Sequence, residues 1–349
     1  MKSINNVVSL FDGIGCGIQS LKDEGIKFKN YYASEVDPNA IKIAKTNHPE
    51  IIHVGDVRSL GILDFKNVDL LIGGSPCQNF SFAGKKKGMK TKEGHQITTL
   101  EHYLDLKDQG FEFEGESYLF WEFVRILKGV NPKYFLLENV RMKKEWSDVI
   151  SEILGVEPLL INSSRVVPQF RERNYWTNIT DQLPEDRSPK LSDFFPQIVT
   201  GVGFRGRGDK SLPKKSGKVG YRVTKSERND NIANAILTSM GGLSTNGKWS
   251  GTGHYLTVDG MIKTFSSAQC ELLQGLPMGY TEVEGITEGR RIHGIGNGWT
   301  VPVIRHFFRN LPTKNRSKAK NPTWEERQEF EQERTGREVK PWSHFPQGW

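Results

Sequence analysis

A chain of 349 residues, 36% hydrophobic and 26% charged, can hold one large α/β domain plus a smaller unit. Its longest apolar runs, such as "VDLLIG" and "YFLL", are far too short to cross a bilayer, and "MKSINNVVSL" has no signal-peptide core. The net charge of +7 is mild, and three widely spaced cysteines (Cys16, Cys77 and Cys270) fit neither a disulfide framework nor a zinc site, so a reducing compartment and no metal are expected.

"NVVSLF" (6–11) predicts a buried strand, followed by a glycine-rich turn and a helix to about Glu24. "FKNYYASEV" (28–36) is a second strand, and "DPNAIKIAKTNH" (37–48) a helix with Pro38 in its first turn. "IIHVGDV" (51–57) and "VDLLIGG" (68–74) are the third and fourth strands. "LFWEFVRIL" (119–127) sets Leu119, Phe120, Phe123, Val124 and Leu127 on one helical face. "KYFLLENV" (133–140) is a fifth strand, and "VEPLLINS" and "RNYWTNI" are two more. Strands alternating with helices predict a mostly parallel sheet, with ligands at the carboxyl ends of its strands. From 180 to about 264 the pattern dissolves into Pro, Gly and basic residues, which predicts a second, irregular unit. Helical signal returns in "SSAQCELLQGLP" and "GNGWTVPVIRHFFRNL", and from Thr313 a charged tail carries a Thr323/Glu326 capping pattern.

The predicted strand ends collect the unusual residues. "FDGIGCG" (11–17) allows backbone to approach a ligand, but lacks the G-x-G-x-x-G spacing of a nicotinamide-type site. Glu35 ends the second strand where an acid accepts ribose hydroxyls, and Asp56 ends the third where one accepts from an adenine amine. The fourth strand runs into "GGSPCQNFSF", so Cys77 lies in a loop beyond the strand, where a thiolate can act as a nucleophile. The fifth ends in Glu138-Asn139-Val140, and the apolar "YFLL" beside Glu138 favours a protonated carboxyl through desolvation. A thiolate and an acid across one cleft suit addition to an electron-poor ring. Gln169, Arg171 and Arg173 alternate in "QFRER" and share a face if extended, for oriented hydrogen bonds or as an ordinary exposed edge.

In this order "FDGIGCG", Glu35, "GD" (55–56), "GGSPCQNFS", "ENV", "QFRER", "SSAQCELLQGLP" and "GNGWTVPV" resemble the DNA cytosine-5 methyltransferase family over nearly all of residues 6–310. The resemblance implies a Rossmann-like S-adenosylmethionine-dependent methyltransferase fold. Its mostly parallel sheet has seven strands, with a catalytic domain of 1–179 and 265–312 and a target-recognition domain of 180–264. It implies that Cys77 attacks C6 of a cytosine flipped out of double-stranded DNA, that Glu138 contacts N3 and the exocyclic amine, and that Arg173 holds O2, supported by Arg171 and Gln169. Phe11, Asp12, Gly13, Ile14, Gly15, Glu35, Val36, Asp56, Val57, Pro76 and Leu119, with Asn297 and Gly298 from the late motif, would surround S-adenosylmethionine. A monomer in the cytoplasm of a bacterial or phage-infected cell, without a membrane partner, is the expectation.

The chain departs from the family pattern at Cys16, where a glycine is usual, and at Trp299 and Thr300 in the last motif. Cys16 and Cys270 read as packing residues. The loop after Cys77 exceeds a minimal closing loop by about twenty residues, as a lid with DNA-contacting Lys85, Lys86 and Lys87 or as a plain surface insertion. Between Gly201 and Asp230 nine Lys or Arg stand against three Asp or Glu, which on charge alone suits either a polyphosphate partner or a solvated loop. The resemblance favours DNA there. One branch of the family methylates tRNA by the same chemistry, which is the alternative substrate. A catalytically silent DNA-binding relative would lack Cys77 or Glu138, and an oxidoreductase would leave both without roles.

Overall fold

The computed structural model describes residues 3–76, 89–204, 223–225, 231–238, 253–260 and 262–311. Cys77, the three lysines 85–87, most of the basic segment and the charged tail lie outside the described residues. Seven strands form the main sheet: β1 (Ser3–Leu10), β2 (Lys27–Ser34), β3 (Ile52–Gly55), β4 (Val68–Gly74), β5 (Tyr134–Val140), β6 (Leu159–Asn162) and β8 (Glu172–Thr177). The two-residue β7 (Gln169–Phe170) precedes β8. The order is β3-β2-β1-β4-β5-β8-β6, parallel from β3 to β5, with β8 antiparallel to both β5 and β6. All seven predicted strands are in this sheet.

Both faces of the sheet are covered, which is why its central strands read as continuous apolar runs. Val7, Leu70, Ile72, Leu136 and Tyr175 enter the core under α1 (Cys16–Asp23) and α2 (Pro38–Asn47). Their chain neighbours Val8, Leu71, Leu137 and Trp176 enter the opposite core, under α4 (Phe120–Val130) and α5 (Lys144–Leu154). The period of two therefore divides each strand between two cores. α3 (Leu100–Asp108) belongs to the second core: Met89, Ile97, Leu100, Tyr103 and Leu106 from the long insertion are buried in it. The described part of that insertion is thus packed structure rather than a surface excursion.

The 180–264 stretch is more regular than its composition predicts. It contains the short α6 (Leu191–Phe194) and a four-stranded antiparallel sheet, β10-β9-β12-β13, made of β9 (Ile198–Phe204), β10 (Val223–Lys225), β12 (His254–Thr257) and β13 (Ile262–Thr264). Its strands are short and rich in Gly, Thr and Lys, so they lack the apolar alternation that marks a strand. β11 (Ala233–Asn234) pairs instead with β7 beside the main sheet. The C-terminal segment returns as α7 (Ser267–Leu273), α8 (Glu288–Asn297) and α9 (Val301–Arg309). The helical signal of "GNGWTVPVIRHFFRNL" falls on two helices: α8 stops at Asn297, Gly298 is extended, and α9 starts with Pro302 in its first turn, where its missing N–H costs no hydrogen bond.

Candidate active site

The carboxyl ends of the five parallel strands open onto one cleft of about 390 Å³, within the range of small-molecule sites at about 300–1,000 Å³. Of the residues expected from the sequence, Phe11, Gly13, Glu35, Val36, Asp56, Val57, Pro76, Leu119, Glu138, Arg171, Arg173 and Asn297 line it. Asp12, Ile14, Gly15, Gly298 and Gln169 are buried instead of lining it. Cys77 lies outside the described residues, and Pro76, which precedes it in the chain, is in the cleft wall.

At one end the chain leaves β1 through Phe11 with φ of 59°, a left-handed conformation rare for a bulky residue and typical of functional sites. Gly15, with φ of 84°, then starts α1 in a conformation glycine adopts freely. Glu35 beyond β2 is held by three backbone amides: Oε2 accepts from Gly13 at 2.8 Å, and Oε1 from Val36 at 2.7 Å and Asp37 at 2.9 Å. Val36 is 65% exposed although apolar, and with Phe11 and Leu119 it offers apolar wall to a flat ring. Asp56 is already engaged. It caps the next turn and binds the Arg58 guanidinium through both oxygens, which holds its carboxyl below the usual range. A rigid acid, an apolar slot and a second acid beside them suit a nucleoside-bearing group.

At the other end Glu138 and Arg173 meet across the β5–β8 ladder, with Arg173 Nε 3.0 Å from Glu138 Oε1. The second oxygen, Oε2, accepts from the indole Nε1 of Trp299 at 3.1 Å. The sequence predicts a Glu138 carboxyl surrounded by apolar side chains; the structure instead gives it an ion pair and an indole donor. Asn139 Nδ2 donates to the carbonyl and the hydroxyl of Ser75 at 3.2 and 3.0 Å, fastening the loop that leads to Cys77 onto β5.

The "QFRER" residues divide by depth. Gln169 donates to the Leu273 carbonyl at 2.9 Å and accepts from the Ile236 amide at 2.9 Å. Arg171 donates to the carbonyls of Ile236, Gly296 and Gly298 at 2.9, 3.0 and 3.0 Å. Both thus act as struts between distant segments, and neither is an exposed edge. Residues without a sequence signal also line the cleft, among them Tyr118 and His293, whereas Arg58 is signalled only by following Asp56. Cys16 and Cys270 are buried free thiols that burial pushes up to about 12, so neither forms a thiolate near neutral pH. Among the described residues no helix is long and apolar enough to cross a membrane.

A family model for C-5 cytosine-specific DNA methylases matches residues 5–200. The orphan methyltransferase M.Rho11sI of Bacillus phage rho11s is 32% identical over 193 residues, which are 52% of this chain and 34% of that protein. The type II methyltransferase M.Eco47II of Escherichia coli is 36% identical over 233 residues, 62% of this chain and 50% of that protein. The chain thus spans between a third and a half of the length of these curated relatives. Among solved structures, the methyltransferase EhMeth of Entamoeba histolytica superposes with a TM-score of 0.59 at 16% identity, over 89% of this chain and 98% of that one, a likeness of fold.

Proposed function

This chain belongs to the C-5 cytosine-specific DNA methylase family, and from that premise we propose that it methylates C5 of a flipped-out cytosine in double-stranded DNA. S-adenosylmethionine, the methyl donor of the family, supplies an electron-poor methyl group on a sulfonium when bound. Glu35 would hold its ribose, Phe11, Val36 and Leu119 would flank its adenine, and Asp56 and Val57 would meet the amino edge. The observation that carries this reading is one shared cleft: amide-held Glu35 and the Glu138–Arg173 pair line the same cavity. β4, which leads towards Cys77, lies between β1 and β5 in the sheet.

The target atom is out of reach inside a duplex, so the base has to leave the stack. Glu138 and Arg173 would hold the polar edge of the extruded pyrimidine while the Cys77 thiolate adds to C6, which makes C5 nucleophilic. C5 would then bond the methyl as the methyl–sulfur bond breaks and S-adenosylhomocysteine departs, after which loss of the C5 proton to a base, with expulsion of the thiolate, would restore the ring. Tritiated-methyl incorporation into duplex DNA and into tRNA, with wild type and Cys77→Ala, tests this. We expect cytosine labelling of DNA by wild type and a loss of about 10³-fold or more in the variant. Undiminished labelling by Cys77→Ala removes the covalent route, and preference for tRNA replaces the substrate.

A further inference from the structure

We propose that Trp299 is a positioning residue for Glu138, its indole N–H and the Arg173 guanidinium together presetting the carboxylate that receives the pyrimidine; this rests on the function proposed above. Each carboxylate oxygen already has one donor, Arg173 Nε on Oε1 at 3.0 Å and Trp299 Nε1 on Oε2 at 3.1 Å. A carboxylate has about four lone-pair sites, so about two remain for the polar edge of a base. An indole nitrogen only donates, so this contact has one polarity, whereas a hydroxyl in its place could reverse.

Three features fix the indole in that place. Trp299 is 8% exposed and is not among the residues lining the cleft, so its indole faces the carboxylate rather than forming cleft wall. Gly74 leaves the space it occupies: a Cβ there would stand 2.7 Å from Trp299 Nε1 and 3.2 Å from Glu138 Oε2. The residues on either side are tied down. The Gly298 carbonyl accepts from Arg171 and Gln274 at 3.0 and 3.2 Å, and the Thr300 hydroxyl donates to Gln274 Oε1 at 2.8 Å. The departures from the family pattern at Trp299 and Thr300 therefore form one device, in which Thr300 anchors the segment and Trp299 orients the acid.

Trp299→Phe keeps most of the packing and removes the N–H, and Gly74→Ala displaces the indole from the other side. Methyl transfer to duplex DNA would be measured for both, alongside calorimetric titration with S-adenosylhomocysteine. We expect kcat to fall at least about tenfold in each variant, since hydrogen bonds to charged groups are among the stronger ones. Affinity for S-adenosylhomocysteine should stay within about twofold, and in a Glu138→Gln background Trp299→Phe should cost less than about twofold further in single-turnover rate. Wild-type kcat in Trp299→Phe overturns the assignment, as does a tenfold loss of S-adenosylhomocysteine affinity with kcat unchanged. A wild-type protein that transfers no methyl to cytosine overturns the proposed function itself.

Discussion

Asp12 is the residue whose burial has the plainest thermodynamic consequence. Its Oδ1 accepts from the Tyr31 hydroxyl at 2.7 Å, and the carboxyl is buried. Desolvation raises this carboxyl to about 6 against the hydroxyls of Ser9 and Tyr31, and the nearby charge of Glu35 adds a smaller push in the same direction. A raised acid favours the protonated fold, so its contribution is present below the unfolded value near 4 and is lost as pH rises through 6. Asp12→Asn keeps an acceptor for Tyr31 and removes the buried charge. It should stabilise the protein by about 1 kcal/mol or more at pH 8 and by little near pH 4. Thermal melts at the two pH values check this, and an equal change at both contradicts it.

Among the elements, α4 carries a charge cluster that ties the insertion to the cleft. Glu122 is fully buried and accepts from Tyr103 at 2.6 Å, from Lys107 at 2.6 Å and from Arg125 at 2.7 Å. Arg125 donates onward to the Val57 carbonyl at 3.1 Å, and Lys107 to the Arg58 carbonyl at 3.3 Å, so α3, α4 and the turn after β3 share one network. Burial alone would raise the Glu122 carboxyl, but Arg125 and Lys107 overcome it and hold it low, so its contribution is lost as pH falls through the carboxylate range. Glu122→Ala leaves the Arg125 charge buried without this partner and should cost about 3–5 kcal/mol. Urea denaturation at neutral pH measures it, and a cost below about 1 kcal/mol would mean that water or other groups satisfy Arg125.

Across the whole molecule, the two ends of the described chain are joined by a relay. Lys22 Nζ meets His48 Nδ1 at 3.0 Å, His48 Nε2 meets the Tyr280 hydroxyl at 3.0 Å, and Tyr280 donates to the Ile14 carbonyl at 2.8 Å. Since Lys22 donates to Nδ1, the network assigns the ring proton to Nε2. Burial, then the Lys22 charge, lowers His48 to about 4 against the opposing charge of Glu50. A depressed histidine stabilises the fold above its unfolded value near 6.5, and that contribution is lost as pH drops from 6.5 towards 4. Tyr280→Phe leaves a buried carbonyl and a ring N–H unpaired, which should cost about 1–3 kcal/mol at pH 7.5. Because Nε2–H donates to Tyr280 whether or not Nδ1 is protonated, and the charged ring needs that acceptor more, the deficit should grow towards pH 4, and a deficit that vanishes there would separate Tyr280 from the histidine.

The family, the sheet class and the chemical end of each parallel strand are legible along the chain, because they depend on short-range pattern. Apolar runs broken by Gly-Gly-Ser-Pro, Glu-Asn-Val or a lone acid mark where a buried strand reaches a ligand face. Glu35 and Glu138 were readable on that ground. What pairs with them was not. The partners of Glu138 lie 35 and 161 positions away, at Arg173 and Trp299. The packed insertion, the break between α8 and α9 and the strut roles of Gln169 and Arg171 likewise depend on which distant backbone arrives beside them. Local periodicity encodes whether a residue is buried, whereas the donor that meets it is decided only when the sheet brings both ends of the chain together.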